Sequence, residues 1–75
     1  MGDMKRVKFL KLTTVEFQDH RNIPELFIPE RTFQYREIIF VNDVEETVKG
    51  FLDMEFPNGD VAIGIPKNNV EITNA

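Results

Sequence analysis

The sequence predicts an all-β fold, a small five-stranded, partly open barrel with a long loop after the first strand and a short 3₁₀ turn before the last. Three observations predict it. Val48, Leu52, Met54 and Phe56 alternate with Lys49, Asp53 and Glu55, the period of a strand with one wet face. Pro57-Asn58-Gly59-Asp60 then supplies turn chemistry, because Pro57 presets φ and Gly59 accepts positive φ. Val61, Ile63 and Ile65 resume the alternation beyond it. At 75 residues the chain is expected to form a single domain over 1–75, burying only roughly 60% of its unfolded surface.

Taken in order, Arg6 to Phe17 reads as a first strand. Val7 and Phe9 occupy one phase and Leu10 and Leu12 the other, which a bulge near Phe9-Leu10 or burial on both sides would reconcile. Thr13, Thr14 and Val15 are β-branched and favour a strand over a helix. Gln18 to Gln34 is an irregular excursion, broken by Pro24 and Pro29 around the apolar patch Leu26-Phe27-Ile28. The alternative is a pair of short strands folded over the sheet. Tyr35 to Val41 is a strand, and Ile38-Ile39-Phe40-Val41 implies burial on both of its faces. Asn42 to Glu46 is a charged turn or a single helical turn capped by Asn42.

The hairpin follows. A loop of two residues at Asn58-Gly59, or of four from Pro57 to Asp60, pairs Phe56 with Val61, Met54 with Ile63 and Leu52 with Ile65. Each pair is apolar on one face, leaving Glu55 with Ala62 and Asp53 with Gly64 for solvent. A three-residue loop would pair Phe56 with Asp60 and is rejected on that ground. Pro66-Lys67-Asn68-Asn69 suits a 3₁₀ turn, and Val70-Glu71-Ile72 closes the fold. Residues 1–4 and 73–75 are expected to fray.

Charge and composition exclude several functions. The chain has no cysteine, which removes disulfides and thiolate metal sites and fits a cytoplasmic setting. Net charge is −4, which argues against a domain held on nucleic acid by bulk charge. No apolar run approaches the ~20 residues of a membrane span. Lys8 and Lys11 interrupt any secretory apolar region, and Arg6 stands where an acylation motif needs Ser or Thr.

The second half resembles the SH3 domain. Ile38-Ile39-Phe40-Val41 is similar to its apolar strand, and Asp43 to Glu46 to its acidic turn. Thr47-Val48-Lys49-Gly50 stands at the Trp-Trp-Lys-Gly strand, and Asn58-Gly59 at the distal turn. Gly64-Ile65-Pro66-Lys67-Asn68-Asn69-Val70 is similar to the closing Gly-x-x-Pro-Ser-Asn-Tyr-Val. The resemblance implies the barrel more than it implies polyproline binding. Thr47 replaces the ligand-facing Trp, Asn69 replaces the groove Tyr, and the aromatic motif of the first strand is missing. Of the peptide groove only Pro66 is retained. One strand, Val61 to Lys67, also resembles the Val-x-Ile-Gly-Ile run of the carbon storage regulator family, dimeric RNA-binding proteins.

No enzyme chemistry emerges. His20 is the only histidine, there is no Cys, and no nucleophile motif surrounds any threonine. Asp43, Glu45, Glu46 and Asp60 lack the spacing of a Ca²⁺ loop, so neither cofactor nor metal is expected. The expectation is a non-enzymatic module that binds another protein through Tyr35, Asp43, Glu45, Glu46, Lys49, Phe51, Pro66 and Asn69. Phe51 falls in the outward phase, where an aromatic beside carboxylates anchors a basic partner. The competing reading has Phe27 or Phe33 covering it. Two alternatives remain. Lys5, Arg6, Lys8 and Lys11 would contact phosphates while Phe9 or Tyr35 stacks on a base, unless those lysines only protect a sheet edge. Or the chain self-assembles, with Val7 to Val15 pairing edge to edge.

Overall fold

The structure, a computed structural model, describes residues 4–18 and 30–75. The strands are β1 Lys5–Phe9, β2 Thr13–Gln18, β3 Glu30–Phe33, β4 Ile38–Val41, β5 Asp43–Val48, β6 Phe51–Glu55, β7 Val61–Pro66 and β8 Val70–Asn74. A 3₁₀ turn, Lys67–Asn69, precedes β8, as its sequence implied. All pairings are antiparallel. They build a three-stranded sheet, β4-β1-β8, and a five-stranded sheet, β3-β2-β7-β6-β5, with no closed barrel. The all-β expectation holds, but among the described residues eight strands in two sheets replace the five that were expected.

Arg6 to Phe17 is not one bulged strand. Val7, Phe9, Thr13 and Val15 are all buried and all share one phase. Leu10 and Leu12, the residues that seemed out of phase, lie in the corner between β1 and β2, with Leu12 62% exposed. That corner is tied down by hydrogen bonds. Leu10 N–H donates to the Asn69 carbonyl at 2.8 Å, and the Thr13 hydroxyl donates to the Lys11 carbonyl at 2.9 Å. β1 lies between β4 and β8, and β2 between β3 and β7. β1 is therefore an inner strand, and its lysines guard no edge, while Thr13 to Glu16 of β2 are paired with β3.

β4 begins at Ile38 rather than Tyr35, because Gln34 to Glu37 forms a turn. Glu37 N–H donates to the Gln34 carbonyl at 3.1 Å, and Arg36 sits at φ +71°. Burial of β4 is one-sided, which corrects the two-sided expectation: Val41 is buried, while Ile38 and Phe40 are 41% and 50% exposed. They face outward opposite Lys8 and Arg6. Asp43 to Glu46 is strand, not turn, since Val44 pairs with Met54 and packs on the core. The reversal instead falls at Lys49-Gly50, between the paired residues Val48 and Phe51.

The β6–β7 hairpin closes through a three-residue loop, Pro57-Asn58-Gly59, not the two- or four-residue loop that the apolar pairing implies. Gly59 N–H donates to the Phe56 carbonyl at 3.0 Å and Phe56 N–H to the Asp60 carbonyl at 2.8 Å. Gly59 stands at φ +92°, so a turn over Pro57-Asn58 followed by a left-handed glycine satisfies both bonds. This register pairs Met54 with Ala62, not Ile63, and leaves Ala62 fully buried. A bulge between Leu52 and Met54 then restores the expected pairing of Leu52 with Ile65. Gly64, at φ +68°, lies in that bulge, and it moves Ile63 to the outer side.

The two sheets share one core. Val7, Phe9, Val41 and Val70 come from the smaller sheet, and Val15, Phe33, Leu52, Met54, Ala62 and Ile65 from the larger. Phe9 of β1 stacks on Phe33 of β3 with ring centroids 4.5 Å apart and planes 4° from parallel. At the end of β8, Thr73 and Asn74 pair with Arg6 and Lys5, and Ala75 N–H donates to the Met4 carbonyl at 3.0 Å. Of the Gln18 to Gln34 excursion, the described ends are the strands β2 and β3. Its middle, including His20, Pro24, Phe27 and Pro29, lies outside the described residues, as do Met1 to Asp3.

Candidate interaction surface

The outer face of β5 and β6 carries a pattern written by the sequence. Along β6, the residues that alternate with buried Leu52 and Met54 are Phe51, Asp53 and Glu55. β5 presents Asp43 and Glu45, directly opposite Glu55 and Asp53. Cross-strand partners lie about 4.5–5.5 Å apart at Cβ, so four acidic residues stand across from one another in two like-charged pairs, a placement that is unfavourable when the charges are close. Toward the Lys49-Gly50 reversal the face turns apolar. There the β5 irregularity keeps Val48 opposite Phe51, and the β7 bulge delivers Ile63 alongside. Val48 and Phe51 are 61% and 44% exposed.

Together these residues form an open groove of about 620 Å³ lined by Val48, Phe51, Ile63, Gly64, Thr47, Asp53 and Gln18. Asp53 also lines the adjoining depression with Asp43, Glu45 and Glu55. An apolar groove therefore runs into an acidic one. Phe33 does not cover Phe51, being spent on the stack with Phe9. Among the described residues no set of His, Cys, Asp and Glu side chains is grouped to hold a metal ion.

The other predicted contact residues divide by what already holds them. Glu46 accepts from Gly50 N–H at 2.9 Å and from Lys67 Nζ at 3.0 Å, while Lys67 N–H donates to the Gly50 carbonyl at 2.9 Å. The Gly50 amide first, and Lys67 after it, hold the Glu46 carboxyl below the usual carboxylate range. Glu46 thus clips the β5–β6 reversal to the 3₁₀ turn. Asn69 is also occupied, its side-chain amide donating to Thr13 Oγ1 at 3.2 Å. Pro66 is half-buried opposite Phe51. Lys49 is exposed in the reversal. Tyr35 is exposed on the separate β3–β4 turn, with the Arg36 guanidinium 5.1 Å from its ring centroid.

The basic set is dispersed as well. Lys5 Nζ donates to Asn74 Oδ1 at 2.9 Å, and Lys11 lies in the β1–β2 corner. Only Arg6 and Lys8 share the outer face of the smaller sheet, between β4 and β8. Phe9 is fully buried and unable to stack on a base. Phe40, directly opposite Arg6, is the exposed aromatic that sequence reasoning missed. Its signal was present, since Ile38 and Phe40 share one phase and Ile39 and Val41 the other.

Among the described residues no helix is long and apolar enough to cross a membrane. Comparison of the chain with protein-family models, curated proteins and solved structures returned no match.

Proposed function

We propose that this chain is a non-enzymatic protein-interaction module of SH3-like build, taking a basic, apolar-anchored segment of a partner protein on the outer face of β5, β6 and β7. The observation that carries the reading is the continuity, through Asp53, of the Val48-Phe51-Ile63 groove with the carboxylates of Asp43, Glu45 and Glu55. An exposed aromatic on a rigid sheet supplies contact area at low entropic cost. The flanking charge selects and steers a basic partner. Like-charge pairs, unfavourable when close, become favourable once a cation lies between them.

Support for the SH3-like build is the order of parts in the second half. An apolar strand, an Asn-Gly reversal, a strand ending at Pro66, a 3₁₀ turn and a last strand follow one another as in that domain. The acidic segment is displaced, being strand β5 rather than a turn. The aromatic polyproline groove has no counterpart, with Thr47 and Asn69 at its key positions. The surface in use is therefore a different one.

A fluorescein-labelled peptide alternating lysine with valine and phenylalanine tests the reading by anisotropy at low salt. Saturable binding is expected, weakened at least tenfold by Phe51→Ala and by Asp53→Asn with Glu45→Gln. A peptide with glutamate in place of lysine should not bind. Equal binding by the parent and Phe51→Ala would remove the proposal.

A further inference from the structure

The smaller sheet carries the complementary surface. On the outside of β4-β1-β8, Phe40, Arg6 and Thr73 form one cross-strand row and Ile38, Lys8 and Glu71 the next. Phe40 and Ile38 are 50% and 41% exposed. One chain therefore presents an apolar patch edged by Arg6 and Lys8 and, on its other sheet, an apolar groove edged by Asp43, Glu45, Asp53 and Glu55.

We infer that the partner segment is a second copy of this chain: the Ile38-Phe40-Arg6-Lys8 face of one copy seats on the Val48-Phe51-Ile63 groove of the next. The inference rests on the groove being an interaction surface, as argued above. Its own warrant is complementarity. Phe40 and Ile38 enter the apolar end of the groove, and Arg6 and Lys8 reach the acidic rows of β5 and β6, where Asp43, Glu45 and Glu55 are exposed and Asp53 accepts the Gly64 N–H at 3.2 Å. Glu71 offsets part of the basic charge, so the attraction is modest and salt-sensitive.

On the smaller sheet, apolar and basic residues lie side by side on neighbouring strands about 4.7–4.9 Å apart. On the larger sheet, apolar and acidic residues succeed one another along the strands. The two patterns superpose when the strands of the copies cross at a wide angle. Because the two surfaces differ, the contact is head-to-tail, and every added copy leaves one face of each kind open.

Sedimentation equilibrium and light scattering test this directly. At low salt the average mass should climb with concentration past twice the 8.8 kDa of one chain, falling back toward one chain when salt is raised. Phe40→Ala and Phe51→Ala, each at a half-exposed position, should each be monomeric alone. Mixed in equal amounts they should form a pair and stop there, since one keeps only its groove and the other only its basic face. Self-association persisting in either variant alone would overturn the head-to-tail contact.

A parent that stays monomeric at all concentrations and salts would overturn it too. If the lysine–valine–phenylalanine peptide still binds that monomer, the groove stands and only its occupant is wrong; if the peptide also fails, both fall. Retention of a single-stranded oligonucleotide by a monomeric parent, lost in Phe40→Ala, would assign the basic face to nucleic acid and overturn self-association.

Discussion

At Gly64 the backbone stands at φ +68°, a region that side chains with a Cβ enter at a cost of roughly 1–2 kcal/mol. A Cβ there would meet no heavy atom within 4 Å, so the cost of substitution is conformational alone. Gly64→Ala should lower the unfolding free energy by about 1 kcal/mol, and Gly64→Asn by less, because Asn tolerates the left-handed region better. Urea midpoints measure both. A neutral Gly64→Ala would mean that the bulge is not held by this residue. The bulge was hard to read because Ala62, Ile63 and Ile65 are all apolar. An unbroken register and a bulged one bury equally plausible residues, and no charge marks the slip. The three-residue loop was rejected for the charge of Asp60, yet Asp60 is exposed beside the turn, where its backbone N–H bonds Asn58 Oδ1 at 3.0 Å.

One element, β5, concentrates the difference between letters and structure. Its run of acidic residues suggested a solvated turn, while Val44, the inward residue between them, was the signal for a strand with one face given over to carboxylate. Glu46 breaks the alternation and serves the reversal. Its carboxyl lies below its ordinary range in the folded state, through the Gly50 N–H and then Lys67. Folding therefore favours the ionised form. The associated stability is present above the ordinary carboxylate range and is lost as pH falls through the lowered value. Glu46→Gln should be less stable than the parent at neutral pH and should lose less on acidification, so the two converge at low pH. Chemical denaturation at pH 7 and pH 3 reads this. A constant difference at both would show that the carboxyl's charge is not what matters at the reversal.

Across the whole molecule, the strand-forming stretches were legible because period 2 is local, whereas the two-sheet arrangement was not. It depends on β1 pairing with β4 and β8, far along the chain, and such pairing leaves no periodic trace. The ring stack of Phe9, the last residue of β1, on Phe33, the last residue of edge strand β3, joins the two sheets. A chain of this size has a total stability of roughly 0.05–0.15 kcal/mol per residue, about 4–11 kcal/mol in all. Truncating a buried Phe to Ala typically removes about 3–5 kcal/mol. Phe33→Ala thus takes a large share of the total, and the question is where the loss appears. Phe33 lies in the larger sheet, but its partner ring belongs to β1, so both sheets should lose hydrogen-exchange protection together. The Val7 and Phe9 amides should decline in step with those of Leu52 and Met54. Protection that falls in the larger sheet while β1 keeps its parent rates would mean that the sheets open independently, and that the shared core does not bind them into one cooperative unit.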